Sequence, residues 1–246
     1  MTTLLLATRN QHKIHEIRGI LGTAFDYLSL NDFPNAPQTV EDANSFAGNA
    51  TKKSVELARY ASQAHFTHHA LITPKSDEGG SRITDHSYVL ADDSGLEVDA
   101  LNGAPGVHSA RFAALDKATA TNSPSSENNA KLLHLLKEVP ADKRTARFRC
   151  VLALTPVLPV TSSSASPVCA QDGYEFQTEL FEGTCEGWIG FEPKGEHGFG
   201  YDPLFVPNWH KQTFAELGDA IKNELSHRAK ALESLKQRLS SLECRS

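Results

Sequence analysis

One run of ten residues constrains this chain more than any other: Val89-Leu90-Ala91-Asp92-Asp93-Ser94-Gly95-Leu96-Glu97-Val98. It opens as an apolar, strand-like stretch, breaks into Asp-Asp-Ser-Gly, and then returns to apolar alternation. The run predicts a strand that ends on two carboxylates at the carboxyl edge of a sheet. Stripping water from an ionised carboxylate costs several kcal/mol unless the group is paired or metal-bound, so two adjacent buried acids call for a cation. A hard divalent ion such as Mg²⁺ takes one or two such carboxylates and fills its shell with water and substrate phosphates. The same four residues also suit a polar turn in which Asp92 or Asp93 bonds its own backbone ahead of Gly95. On this segment alone both readings stay open.

Burying such a pair needs a sizeable core, and 246 residues supply one, read here as a single α/β unit with a subsidiary lobe. No apolar run approaches the ~20 residues needed to cross a bilayer. Met1-Thr2-Thr3-Leu4-Leu5-Leu6 carries neither the basic region nor the cleavage site of a secretory signal. Cys150, Cys169, Cys185 and Cys244 are scattered without a C-x-x-C, which fits reduced thiols in a cytoplasmic protein rather than a zinc site or disulfide framework. A formal net charge of −6 argues against a broad grip on nucleic acid. It leaves room for a small anion in a local basic pocket.

The chain starts with a strand, turn and helix. Thr3 to Ala7 is a short apolar strand, Thr8-Arg9-Asn10-Gln11-His12-Lys13 a polar turn, and Ile14, Ile17, Ile20 and Leu21 recur at helical spacing before Gly22. With Asn10 as N-cap, Lys13 falls in the first helical turn, where a cation opposes the helix dipole. That placement suits a bound anion, so the free N–H groups of the helix start and Lys13 make a candidate phosphate site; the alternative is a solvated surface lysine. Phe25 to Leu30 alternates like an exposed-edge strand. Ser45 caps a helix expected to run to about Ala64, with Phe46, Ala50, Leu57, Ala58 and Ala61 toward the core. Glu41, just ahead of it, is either a further metal carboxylate or an acid placed for the helix dipole. Lys52 and Lys53 are adjacent, so at most one of them points toward a site. From His65 to Ser87 periodicity is lost, as in an insertion; His65, His68 and His69 there read as loop residues rather than metal ligands.

Asn102-Gly103-Ala104-Pro105-Gly106 is a tight shaped loop, and Arg111 follows it with a fork suited to a carboxylate or phosphate. Glu127 to Lys137 predicts a helix and Thr145 to Leu154 a long central strand. Pro156 to Gly173 reads as a second insertion, and Glu175 to Gly190 as a hairpin turning at Gly183. Glu192 to Pro203 is rich in glycine and aromatics. Backbone there approaches a flat ligand while Phe199 or Tyr201 stacks on it, or the two aromatics simply face the core. The last element contains Lys222 and then a helix capped by Ser226, which sets His227 and Arg228 at a second basic helix start.

Taken together, these motifs resemble the inosine/xanthosine triphosphate pyrophosphatase family, the Ham1-like proteins. The resemblance rests on Ala7-Thr8-Arg9-Asn10 with Lys13, Ser45-Phe46 with Asn49-Ala50 and Lys53, and Ala91 to Leu96. It continues through Gly103-Ala104-Pro105-Gly106 with Ser109-Ala110-Arg111, Phe199-Gly200-Tyr201-Asp202-Pro203, and Lys222 with Ser226-His227-Arg228. It spans nearly the whole chain apart from the two insertions. It implies an α/β fold with an elongated, curved mixed sheet flanked by helices, and two lobes with the active-site cleft between them. It also implies Mg²⁺ dependence and a homodimer. By the same resemblance Asp93 is the proton acceptor and a metal ligand, with Glu41 near the metal. Thr8, Arg9, Asn10, Gln11, His12, Lys13 and Lys53 hold the triphosphate and Ser94 contacts the nucleotide. Phe199, Gly200, Tyr201, Asp202, Lys222, His227 and Arg228 surround base and sugar.

Three departures from the family pattern stand out. Arg9 replaces a usual glycine in the phosphate turn, either adding a contact or crowding it. Gly48 replaces a usual glutamate beside Asn49, and the Val40 to Ser45 region is one residue short. The expected reaction is hydrolysis of a deaminated purine nucleoside triphosphate to monophosphate and pyrophosphate. The alternatives are a nucleotide hydrolase of different base preference and a non-catalytic nucleotide-binding protein.

Overall fold

The computed structural model describes residues 2–67, 87–117, 121–157 and 177–243. A six-stranded mixed sheet organises them, in the order β2-β1-β3-β4-β5-β6. The strands are β1 Thr3–Leu6, β2 Asp26–Ser29, β3 Ser87–Val98, β4 Thr145–Pro156, β5 Glu179–Ile189 and β6 Phe205–Pro207. β1 pairs in parallel with β2 and β3, while β3 to β6 run antiparallel to one another. Among the described residues five α-helices accompany the sheet: α1 Gln11–Leu21, α2 Phe46–Thr67, α3 Ser125–Leu135, α4 Phe214–Leu225 and α5 His227–Glu243.

Alternation along the strands assigns the helices to faces. Leu5, Val89, Ala91, Val151 and Ala153 point to one side and meet Phe46, Ala50, Leu57, Ala58 and Ala61 of α2. Leu4, Leu6, Leu90, Leu152 and Leu154 point to the other, against Ile14, Ile17 and Leu21 of α1 and Leu232, Leu235 and Leu239 of α5. A third cluster at the far end of the antiparallel part joins Leu96, Phe148, Ile189, Tyr201, Phe205 and Phe214. Phe148 is in ring contact with Phe205 at 4.7 Å and with Phe214 at 6.3 Å.

Several expectations hold and several need correction. Asn10 caps α1, Gly22 stops it with a φ of 74°, and Ser45 starts α2 by accepting the N–H of Gly48. β2 is the sheet edge as expected, and the helix expected at Glu127–Lys137 starts two residues earlier. The acidic run, however, neither ends a strand nor turns: β3 continues through it, with Asp92 opposite Leu152, Asp93 opposite Val151 and Gly95 opposite Arg149. Long antiparallel pairing with β4 satisfies the backbone that a polar turn would have had to satisfy with side chains. Nor is Gly183 a hairpin turn. It lies inside β5, opposite Cys150, and a Cβ there would run into the backbone of His227 and Ala231. Its missing side chain lets the start of α5 lie directly on the sheet. The segment before Ser226 is a separate helix, α4, with its own capping box at Thr213 and Glu216. Gly218 kinks it at a φ of 76°, which hides its period in the sequence. α2 continues to Thr67, past the expected start of the first insertion, and β4 to Pro156, the expected start of the second. Residues 68–86, with His68 and His69, and residues 158–176 lie outside the described residues, as does the side chain of His65.

Candidate active site

Adjacent residues on an extended strand face opposite sides, and this alone separates the two acids. Asp92 points to the α1/α5 side. Arg228 donates from Nε to its Oδ2 at 2.7 Å, Lys13 pairs with its Oδ1, and Ser94 Oγ donates to Oδ1 at 2.7 Å. Burial pushes this carboxyl up, but Arg228 and Lys13 outweigh it and hold Asp92 well below the usual carboxylate range. Asp93 points to the α2 side, where Lys53 Nζ lies 2.9 Å from Oδ1 and Asn49 Nδ2 donates to Oδ2 at 3.2 Å. Here burial prevails over Lys53 and Lys13, nearby Glu41 adds to the effect, and the carboxyl is raised. Burial, not the neighbouring acid, is the main cause of that rise, because Asp92 faces the other way.

Behind Asp92 lies a buried chain of charges. Arg228 pairs with both Asp92 and Glu16, Lys222 bridges Glu16 at 2.8 Å and Asp202 at 2.6 Å, and Asp202 accepts the N–H of Phe199 at 2.7 Å. Glu16 is 4 % exposed and was absent from the sequence-based candidates. Its signal was a glutamate one turn beyond Lys13 on the side of α1 that buries Ile14 and Ile17. Burial raises its carboxyl, and the two cations more than offset that, leaving it below its ordinary value. Paired charges of this kind cost desolvation, so the chain rigidifies the site more surely than it stabilises the fold.

A cavity of about 580 Å³ opens over these groups. Thr8, Arg9, Asn10, Lys13, Lys53, Ser94, Phe199, Gly200, Tyr201, Asp202, Lys222, His227 and Arg228 all line it, together with Asp92, Asp93, Glu41 and Arg111. Gln11 and His12 do not. Gln11 is exposed, and His12 stacks on Phe199 from outside, 5.2 Å between centroids. The expectation of free N–H groups at the start of α1 is corrected in part, since Asn10 Oδ1 already accepts those of His12 and Lys13. Arg9 does not crowd the turn: its guanidinium swings to the carbonyl of Leu30 at 2.6 Å. Lys53 faces the site while Lys52 pairs with Asp42 at 2.7 Å in the open. Glu41 Oε2 sits 3.3 Å from Lys53 Nζ, and Arg111 holds the Glu41 carbonyl at 3.1 Å.

The far wall of the cavity is aromatic. Phe199 lies 4.5 Å from Lys222 Nζ, whereas Tyr201 faces the core and donates its hydroxyl to the Ser109 carbonyl at 2.9 Å. The backbone N–H groups of Phe199 and Asp202 bond within their own loop. His227 stacks on Phe148 at 4.8 Å with an interplanar angle of 13°. Burial first, and then Arg228 and Lys222, hold its imidazole neutral, well below its ordinary value. Among the described residues its Nδ1 has no hydrogen-bond partner.

Six lining cations, Arg9, Lys13, Lys53, Arg111, Lys222 and Arg228, exceed the four lining carboxylates. The arrangement therefore suits a polyanion laid between Asp93 and the start of α1, with a flat group against Phe199 and His227.

A model of the Ham1 family matches residues 4–238. The dITP/XTP pyrophosphatase of Desulforamulus reducens is 42% identical over 240 residues, covering 97% of this chain and 96% of its own. That of Exiguobacterium sibiricum is 43% identical over 237 residues, 96% of each chain. A solved Ham1 protein from Coxiella burnetii matches at a TM-score of 0.70 and 31% identity, covering 98% of this chain and 100% of its own.

Proposed function

Because this chain belongs to the Ham1 family, we propose that it hydrolyses deaminated purine nucleoside triphosphates, inosine, deoxyinosine and xanthosine triphosphate among them, to the monophosphate and pyrophosphate. The observation that carries this is Asp93. It is a buried carboxylate with a raised pKa, set on the wall of a cation-rich cavity and apart from the acid that anchors the cations. A carboxylate shifted toward neutrality is a better proton acceptor than an ordinary one, and general bases of this kind contribute about 10²–10⁴ in rate.

Asp93 would orient and deprotonate the attacking water. Lys13 and Lys53, which share the Asp92 carbonyl at 3.3 and 3.2 Å, would hold the phosphates in line. Arg9 and Arg111 stand at the same cavity with forks suited to further phosphate oxygens. Arg228 and Lys222 are almost wholly buried between Asp92, Glu16 and Asp202, so their part is to fix the site, whereas the more open Lys13 and Lys53 are left to meet the phosphates. The neutral His227 lines the cavity, its buried Nδ1 without a partner among the described residues, and would offer that nitrogen as a donor or acceptor to a purine edge. A pocket that needs a bond to the 6-oxo group penalises a 6-amino purine, whose entry leaves a buried group unpaired.

Mg²⁺ belongs to the same reading. Asp93 and Glu41, two hard oxygen donors on either side of Lys53, fit an ion that takes the rest of its shell from water and phosphate. Among the described residues no group of three ligating side chains gathers in one place. When bound, such an ion would neutralise charge on the phosphates. A cytoplasmic setting fits Cys150 and Cys185, both buried and neither in a disulfide. Among the described residues no helix is long and apolar enough to cross a membrane. The homodimer is proposed from family membership and is checked by sedimentation.

The test is a panel of inosine, deoxyinosine, xanthosine, guanosine and adenosine triphosphates with Mg²⁺, resolving pyrophosphate from orthophosphate. Pyrophosphate from the first three, well ahead of the others, is the expected result. Orthophosphate as first product, or tight binding without product, would overturn the reading.

A further inference from the structure

We propose that Asn49 and Gly48 act as one positioning clamp that sets where the Glu41 loop stands relative to the Asp93 carboxylate; this rests on the hydrolase reading above. Asn49 is completely buried in the first turn of α2. Its Nδ2 donates to Asp93 Oδ2 at 3.2 Å, and its Oδ1 accepts the N–H of Ala43 at 3.0 Å. A carboxylate only accepts and a backbone N–H only donates, so the amide has one orientation that serves both. One side chain thus ties β3 to the loop ahead of α2. Glu41 lies two residues before Ala43, its carboxylate 3.3 Å from Lys53 Nζ, and Lys53 takes the other oxygen of Asp93. Both oxygens of Asp93 are therefore held, one by Lys53 and one by Asn49.

Gly48 explains how the loop comes close enough. A Cβ at this position would lie 2.7 Å from the Ala43 Cβ and 3.1 Å from Ser45 Oγ. Ala43 packs on bare helix backbone, so the glycine that weakens the helix start is required by space. The two departures from the family pattern are linked on this account. A loop one residue shorter needs a helix start without a side chain. Displacing it would move Glu41 against Asp93, and small misplacements of reacting groups are costly in rate.

The experiment compares wild type, Gly48→Ala, Ala43→Gly and the double variant Gly48→Ala/Ala43→Gly. The readouts are kcat and KM for inosine triphosphate, and calorimetric binding of Mg²⁺ together with a non-hydrolysable inosine triphosphate analogue. Gly48→Ala should lower kcat by about tenfold or more, with KM changed by less than about threefold, and should weaken Mg²⁺ binding. Removing the Ala43 methyl in the double variant should restore both readouts to within about threefold of wild type. Asn49→Leu, which can bond neither partner, should not be rescued by Ala43→Gly. Wild-type behaviour of Gly48→Ala, or equal impairment of the single and double variants, would overturn the clamp. If the wild type itself released no pyrophosphate, the hydrolase reading would fall instead. The calorimetry would then judge the clamp alone, with unchanged Mg²⁺ binding in Gly48→Ala counting against it.

Discussion

Asp92 and Asp93 are neighbours in the chain and strangers in the fold. Arg228 holds the first from the α5 side at 2.7 Å, and Lys53 holds the second from the α2 side at 2.9 Å. The strand pleat gives each acid its own electrostatic surroundings, one held ionised and one pushed toward neutrality. A motif that looks like a shared acid pair thus divides into an anchor and a candidate base.

The anchor predicts a loss of stability. Asp92→Asn removes the charge that faces the fully buried Arg228 and leaves Glu16 as its remaining carboxylate partner. Breaking one side of a buried pair costs ~3–5 kcal/mol. For a chain of this size each kcal/mol lowers Tm by roughly 2–4 °C. Thermal melting by circular dichroism checks it, with a drop of this order expected in the absence of any ligand.

Glu16 predicts a dependence on acid. Its carboxyl titrates below its ordinary value of 4.5 in the folded chain, so as pH falls the unfolded chain takes the proton first. The stability it contributes is present above about pH 4.5 and is lost as pH falls through the lower folded value. Asp92 acts in the same direction, while Asp93 and Asp202, raised chiefly by burial, act in the opposite one. Glu16→Gln should be less stable than wild type at pH 7 and should lose less on going from about pH 5 to pH 3. Urea unfolding across that range measures it; an acid limb as steep as that of wild type would contradict it.

His227 predicts a change in base preference. His227→Phe keeps a ring on Phe148 but removes the unpartnered nitrogen. The ratio of kcat/KM for inosine over adenosine triphosphate should fall by roughly 5- to 150-fold, the equivalent of about 1–3 kcal/mol for one lost buried bond. Since burial keeps the imidazole neutral, the wild-type ratio should be flat between about pH 6 and pH 8. Competition kinetics with the two triphosphates gives the ratio directly.

Much of this site was legible in the sequence because it depends on local rules. Asn10 as a cap, Ser45 at the start of α2, and one of Lys52 and Lys53 facing inward all follow from helix geometry. What was not legible depends on pairing across the sheet. The Asp-Asp-Ser-Gly run looks like a turn until β4 is laid beside it, and Gly183 looks like a turn until α5 is laid on top of it. Glu16 carried a weak signal because a buried charge is indistinguishable from a surface one until its partners, Lys222 and Arg228, arrive from two hundred residues away. α4 was missed because Gly218 breaks its period.

The role of Asp93 is tested most directly by single-turnover release of pyrophosphate from inosine triphosphate by wild type and Asp93→Asn, with folding of both confirmed by thermal melting. The variant should melt close to wild type and release pyrophosphate more slowly by about 10²–10⁴. A folded Asp93→Asn protein that releases pyrophosphate at the wild-type rate would contradict it.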